Sequence, residues 1–375
     1  MAASASQGVS PSAPGSSGRI GLALAAAVPF LAALALLWWG FFFLRDLQTD
    51  PQMNRILVVV LAIIWGVGGM ALLFTTANFF VEQLPVRWTQ RLTPVIFVGP
   101  ALLMLIWGLA IPSIRTAILS LYNSTGLAFV GLQNYGSVLS DPALQTVLRN
   151  NLLWVVFGTT FTVVSGLMVA VFADRSRFET AAKALIFMPM AISFVGAGVI
   201  WIFVYAVKPL DSPQIGLLNS IWVGLLHGAP QTWTASFPPW NNFFLIVIVV
   251  WLQTGYSMVL FSAAIKGIPE ELLEAARVDG ANETRIFFSI MIPQIMGTII
   301  TVTTTVVIFT LKIFDVVWVM TGGNYDTSVI GTEFYRQFFT YNNNGYGATI
   351  AVILMVAVIP VMVYNLRQFA QREVF

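Results

Sequence analysis

Eight stretches of this 375-residue chain run for 21 to 26 residues without one charged side chain or histidine. They are 20–44, 56–81, 92–114, 151–173, 184–207, 243–265, 286–311 and 346–366. A helix that crosses a bilayer needs about 20 largely apolar residues, because hydrocarbon leaves the backbone only its own hydrogen bonds. The pattern predicts an all-α, polytopic membrane protein with eight transmembrane helices. Charged residues are 9% of the chain, against about 25% in a soluble domain, too few to cover a water-soluble globule of this size. The 56–81 stretch has a second reading, as two short buried helices meeting around Gly66–Gly69.

Several chemistries are excluded by what the chain lacks. It has no cysteine and a single histidine, His227, so it offers no thiolate site, no paired-histidine metal site and no cysteine nucleophile. The 18 Lys and Arg are scattered and form no patch, which excludes a nucleic-acid partner. No GxxxxGK[ST] loop, HExxH or GxSxG occurs. No cofactor, metal or enzymatic activity of its own is therefore expected. A carrier coupled to protons or sodium needs ionisable groups at membrane depth, and the eight stretches hold none.

Residues 1–18 are Ser, Ala, Gly and Pro-rich and uncharged, a composition expected to be disordered. The apolar run that follows is too long for the core of a signal peptide, and Trp38-Trp39 reads as an interfacial anchor. Eight spans put both termini on one side. The segments 1–19, 82–91, 174–183, 266–285 and 367–375 hold 11 Lys and Arg in 68 residues; the opposite segments hold seven in 116. The positive-inside rule then predicts that both termini are cytoplasmic. On the outer side, 115–150 carries an amphipathic piece with Leu121, Phe129, Leu132 and Tyr135 beside Asn123 and Asn134. A second piece, Gly216 to Leu226, is expected to lie along the interface. His227 is expected to face solvent.

The inner segment 266–285 reads KGIPEELLEAARVDGANETR. Pro269 suits the first helical position, and Glu270 and Glu271 suit the first turn. Ile268, Leu272 and Ala276 share one face with Leu273 beside it. Gly280 is placed to end the helix and Asn282 to cap the next. The spacing predicts a short helix along the membrane face, with Leu272 and Leu273 as an apolar plug and small Ala275 and Ala276 permitting close approach. On geometry alone it is either an interfacial connector or a docking element.

Glu274-Ala275-Ala276, then Gly280, Ile290 and Ile292-Pro293, resembles the EAA signature of the membrane subunits of binding-protein-dependent ABC importers, with Ile292 where leucine is usual. Phe129-Val-Gly-Leu-Gln-Asn-Tyr135 followed by Asn150 and Asn151, Gly216-Leu-Leu-Asn219, and Phe314-Asp315 through Thr321-Gly-Gly323 resemble sugar permeases of that group. The wording of 311–323 is similar to α-glucoside permeases, and two spans ahead of a six-span core resemble the larger permease subunit of maltose importers. That subunit carries a large external domain after its third span, where this chain has only about 35 residues.

The resemblance implies an ABC type I importer permease fold: a cytoplasmic tail over 1–18, two extra spans within 19–91, and a core over 92–375. It makes the 268–280 helix a coupling helix, with Glu274, Ala275, Ala276, Gly280, Leu272 and Leu273 meeting an ATPase subunit. The implied partners are an ATPase dimer, a second homologous permease, an extracytoplasmic sugar-binding protein and the lipid bilayer.

A sugar is held by directed hydrogen bonds and aromatic rings. Gln253, Tyr256 and Ser257 in the sixth span, beside Trp251 and Thr254, are candidates, with Thr310, Lys312, Asp315 and Trp318 near the end of the seventh. Ser193 and Trp201 of the fifth span belong to the wider set. Each has an alternative reading as helix-packing glue. Lys312 and Asp315, three apart, are expected to pair with each other.

Overall fold

The computed structural model describes residues 16–50 and 53–372. The tail expected over 1–18 lies outside them except for Ser16–Gly18, which already belong to the first helix. The described residues form no strand; one isolated bridge joins Tyr122 and Phe129. Six helices are long and apolar enough to cross a membrane, and two bent helix pairs bring the number to eight.

The chain divides into two compact units, 1–113 and 114–375. In the first, α1 (Ser16–Thr49) and α2 (Arg55–Glu82) pack side by side, with Phe30 stacked on Phe80 at 5.8 Å. α2 is one continuous helix, so the alternative of two short helices around Gly66–Gly69 does not hold. The Thr89 hydroxyl donates to the Val81 carbonyl at 3.0 Å and fixes the turn into α3 (Val86–Leu119).

The second unit is built around α9. Before it come α4 (Gln133–Ser140), α5 (Pro142–Asp174), α6 (Glu179–Ala191), α7 (Phe194–Val204) and α8 (Leu217–Gly224). α9 (Asn241–Lys266) has 13 of its 26 residues buried, and they point in every direction around its axis. A helix apolar all round is a core helix. Against it pack Trp154 from α5, Ala197 from α7, and Val316 and Val317 from a later helix. Gly166 makes the α5–α9 approach possible: a Cβ there would lie 2.4 Å from the Cβ of Ser257.

Two of the expected straight spans are broken. The 184–207 stretch bends by 103° between α6 and α7. Pro189 withholds a backbone donor, and Ser193 caps the new helix by accepting from the Gly196 amide at 3.0 Å. The 286–311 stretch bends by 71° between α11 (Glu283–Gln294) and α12 (Met296–Leu311), two residues after Pro293. The amphipathic piece expected in 115–150 is helical only over α4; residues 121–132 form a turn closed by the Tyr122–Phe129 bridge. α8 matches the second outer piece, and His227 is exposed.

After α12 the chain leaves helical geometry at Lys312–Phe314, then forms α13 (Asp315–Thr321), α14 (Ile330–Tyr335) and α15 (Asn344–Arg372). Asn150 and Asn151 hold this irregular stretch. Asn150 Nδ2 donates to the carbonyls of Asp326 at 2.6 Å and Ser328 at 2.9 Å. Asn151 Nδ2 donates to the Leu311 carbonyl at 3.1 Å, and its Oδ1 accepts from the Ile330 amide at 2.6 Å. Asn151→Ala would strip partners from a buried amide and a carbonyl at once, each worth about 1–3 kcal/mol. A lower melting temperature of the purified protein in detergent is expected. An unchanged one would mean that apolar packing alone holds the break.

Candidate functional site

The segment after α9 is short, polar and closed at both ends. Gly267 ends α9, Ile268 turns inward, and α10 (Glu270–Val278) follows. Pro269, expected at the first helical position, is instead the N-cap, one residue ahead of the helix that starts at Glu270. Glu270 and Glu271 occupy the first turn and Arg277 the last, each favourable to the helix dipole. Gly280 adopts φ +82°. Its amide bonds the Arg277 carbonyl and that of Ala281 bonds Ala276, both at 3.0 Å, the paired closure of a Schellman motif. Asn282 then accepts from the Arg285 amide at 2.8 Å and starts α11.

The six residues expected at a partner surface separate into two faces. Leu273 and Ala276 pack inward, with Ala281, on Ile268, Ile286, Met291 and Ile295 of the same chain. They seat the helix and form no plug for a partner. Leu272, Glu274 and Ala275 are exposed, and so is Val278, 88% exposed, which the sequence reading passed over. Extending the helical face from Glu271 and Ala275 to i+7 would have found it.

Glu283 is a second feature not anticipated. It lies ahead of the apolar stretch that begins at Ile286. Its carboxylate accepts from Arg277 Nε at 3.0 Å and from Arg175 Nη2, at the end of α5, at 2.6 Å. The Arg277 and Arg175 guanidiniums hold this carboxyl below the usual carboxylate range. One acid thus joins α10, α11 and α5. Nearby, Lys183 bridges Asp174 and Glu179, Lys266 reaches Glu179, and the Ser262 hydroxyl donates to Asp174 at 2.7 Å. These contacts tie the ends of α5, α6 and α9.

The substrate candidates do not converge on one pocket. On α9, Gln253 is 6% exposed, and its amide has no hydrogen-bond partner among the described residues. Ser257 is fully buried with an unpaired hydroxyl, and Thr162 of α5 is in the same state. Between them Ser165 and Thr254 bond across the seam at 2.8 Å. Tyr256 is half-buried beside Met258 and Phe261. Thr310 is consumed by packing: its hydroxyl donates to the Val306 carbonyl at 3.1 Å and meets Thr159 Oγ1 at 3.4 Å. Lys312 and Asp315 are exposed and form no ion pair, because the helix expected to align them breaks between them. Trp318 lies on another cluster, 5.6 Å from the Phe314 ring and 4.7 Å from Tyr335.

Residues 162–374 match a family described as binding-protein-dependent transport system inner membrane component. The chain belongs to that family. It is a multi-pass inner-membrane permease subunit rather than a catalytic enzyme. The permease is 50% identical over 277 residues to the osmoprotective compounds uptake permease protein GgtC of Synechocystis sp., covering 74% of this chain and 99% of that relative. It is 42% identical over 335 residues to the alpha-glucoside transport system permease protein AglF of Rhizobium meliloti, covering 86% and 99%. A chain of a bacterial ABC transporter involved in the import of the acidic polysaccharide alginate shares the fold. The TM-score is 0.65 over 76% of the permease and 99% of that chain, at 17% identity.

No side chain stands within 4 Å of a Cβ added at Gly280, so the cost of a substitution there is conformational rather than steric. Gly280→Ala is expected to cost about 1–2 kcal/mol and to speed hydrogen exchange at the amides of residues 279–281, leaving exchange in α9 unchanged. Gly280→Asn, which tolerates the left-handed region better, should fall between. Equal exchange in all three would show that the turn does not depend on Gly280.

Proposed function

We propose that this permease is one of two homologous membrane subunits of an ATP-driven sugar importer, and that α10 is its coupling helix. The observation that carries the proposal is the build of the 266–285 segment. Its helix is locked at one end by the Gly280 closure, seated by Leu273 and Ala276, and tied through Glu283 to α5 and α11. Such a helix turns with the bundle as a lever. Its free face, Leu272, Glu274, Ala275 and Val278, is what a cleft of a partner ATPase subunit would receive. Closing two ATPase subunits would move two such levers. The spans would then pass between two bistable arrangements, with a loaded extracytoplasmic binding protein biasing the opposite side. In this reading the 266–285 segment and both termini are cytoplasmic.

The substrate class is an α-glucoside or a maltose- or trehalose-like oligosaccharide. AglF, an alpha-glucoside transport permease by name, is 42% identical over 86% of this chain and supports that class. Gln253 supports it independently, as a largely buried side chain whose amide makes no hydrogen bond among the described residues. GgtC, an osmoprotective compounds uptake permease, shares more identity over less of the chain and favours a second reading, a small compatible solute.

Reconstituting the chain with its co-expressed ATPases, second permease and binding protein separates the two, with ATP hydrolysis as the readout. Stimulation by maltose, trehalose or methyl α-glucoside supports the first. Stimulation by osmoprotectants alone overturns it, as would two identical permeases in the active complex by mass spectrometry.

Gly280→Asp should leave the spans inserted, abolish uptake and uncouple ATP hydrolysis from the loaded binding protein. Glu274→Ala should be milder, removing one polar contact without redirecting the lever. Normal coupling in Gly280→Asp would reduce the segment to a connector. Gln253→Ala or Tyr256→Ala should cut uptake about fivefold, the equivalent of one hydrogen bond or ring contact of about 1 kcal/mol, with assembly intact. Unchanged kinetics in both would make these residues packing.

A further inference from the structure

Residues 208–242, on the far end of α9 from the lever, enclose a cavity of about 300 Å³ lined by Trp222, Gln231, Trp233, Ser236, Phe237 and Phe244. We propose that it is a binding site for a single neutral pyranose ring, met before the substrate reaches the spans. The inference rests on the sugar reading of the previous subsection and adds a place and a recognition chemistry to it.

Four observations carry it. The volume stands at the small end of the range for ligand pockets, about 300–1,000 Å³, which suits one ring rather than a chain. The walls are aromatic: the rings of Trp222 and Trp233 meet edge to face at 5.8 Å and 85°, and Trp233 tilts against Phe244 at 5.2 Å. Such walls suit the C–H faces of a sugar. None of the lining residues is charged, so a neutral ligand is favoured over an anionic or cationic one.

The polar groups are unspent. Trp222 Nε1 donates to the Ala229 carbonyl at 3.0 Å, but Trp233 Nε1 is buried with no acceptor among the described residues. A buried donor without a partner calls for an acceptor that the chain itself does not supply. Gln231 Nε2 bonds Ala229 at 3.2 Å, while its side-chain carbonyl accepts nothing among the described residues. A hydroxyl of a sugar can donate to the glutamine and, after a rotation of the Trp233 ring that uncovers its now shielded N–H, accept from the indole. A quaternary ammonium, the other guest of aromatic cages, offers the indole N–H nothing.

The walls are also held in place before any ligand arrives. Asn219, fully buried, accepts from the Gln231 amide at 2.9 Å and donates to its carbonyl at 3.0 Å. The Ser236 hydroxyl bonds that of Thr232. Phe237 stands at the rim, 70% exposed and at φ +61°. That is a left-handed conformation unfavourable for a bulky residue, and little side-chain burial offsets it. From the pocket a run of ring contacts leads inward: Trp233 to Phe244, Phe244 to Tyr205 at 5.9 Å, Tyr205 to Trp201 at 5.1 Å, and Trp201 to Trp251 at 5.8 Å. Trp251 stands two residues before Gln253 on α9.

The test uses the full chain in lipid nanodiscs with 5-fluorotryptophan, its fluorine resonances assigned by Trp222→Phe and Trp233→Phe. Titration with methyl α-D-glucopyranoside should shift the Trp222 and Trp233 resonances saturably, with Trp38 and Trp39 still. Sorbitol, with similar hydroxyls but no ring, and glycine betaine should shift neither. Trp233→Phe keeps the ring and removes the N–H, and should weaken the titration of the Trp222 resonance about fivefold, as the loss of one hydrogen bond. Gln231→Ala should weaken it similarly without disturbing the indoles. Silent resonances, an equal response to sorbitol, a response to betaine alone, or shifts that follow only a change of nanodisc lipid would each overturn the proposal. Silent resonances alongside sugar-stimulated ATP hydrolysis in the full complex would overturn the pocket and spare the importer reading; shifting resonances without that stimulation would do the reverse.

Discussion

A backbone carbonyl freed from its helix and buried inside the protein has no water to turn to, and four buried asparagines answer that constraint. Asn150, Asn151, Asn219 and Asn241 are each at most 4% exposed, and each donates its amide to carbonyls of non-helical chain or of a helix end. Asn219 reaches Ala206 and Gln231; Asn241 reaches Thr234 at 3.3 Å and Tyr325 at 2.7 Å. Non-helical backbone survives in a membrane protein only where such partners exist. The break at Lys312–Phe314, the turn into α14 and the 208–242 cap all depend on them. Because an amide side chain has a fixed length and two-sided geometry, the irregular segments are pinned in one arrangement instead of many.

The other end of the bundle is held by charge. Glu283 bridges Arg277 and Arg175, and the Asp174, Glu179, Lys183 and Lys266 cluster joins three helix ends. Exposed pairs of this kind contribute little stability singly and are weakened by salt. Their value is in direction: an acid shared by two guanidiniums from different helices fixes the angle between those helices. The Gly280 closure fixes the same angle through the backbone. The two devices together make α10 stiff relative to α11 while its outer face stays free.

What was legible in the sequence follows the range of the interaction that decides it. The spans were legible because twenty residues without charge leave few alternatives. The short helix α10 was legible because caps are local: Gly280 and Asn282 sit where it must stop and the next must start. The bends were not. Pro189 and Pro293 precede breaks, yet Pro94, Pro100 and Pro360 lie inside helices that continue. A proline alone does not decide: Ser193 caps the helix after the first break, while after the second Ile295 supplies no side-chain cap. The faces of α10 were only half legible, since Leu272 and Leu273 are adjacent and only docking against Ile286 and Met291 tells them apart. The Thr159 neighbour of Thr310 and the missing Lys312–Asp315 pair were not legible, because one is set by a residue far away in sequence and the other by the backbone break that Asn151 stabilises.

α9 connects all of these parts. One end leads through Gly267 and Ile268 into the lever. The other begins at Asn241 and Asn242, where Asn242 accepts from the Trp154 indole at 3.3 Å and Asn241 holds Tyr325. Half of α9 is buried in close-packed surroundings, so a displacement at Lys266 would be carried along it toward Gln253 and the cap. The α5–α9 seam is its closest contact, since Gly166 lets the backbone come up against Ser257 and Ser165 bonds Thr254 across it at 2.8 Å. It is also where two buried hydroxyls, Thr162 and Ser257, stand unpaired in this arrangement. Unpaired hydroxyls raise the energy of the arrangement that contains them, so an arrangement of this seam that gave Thr162 and Ser257 partners would be favoured over the present one.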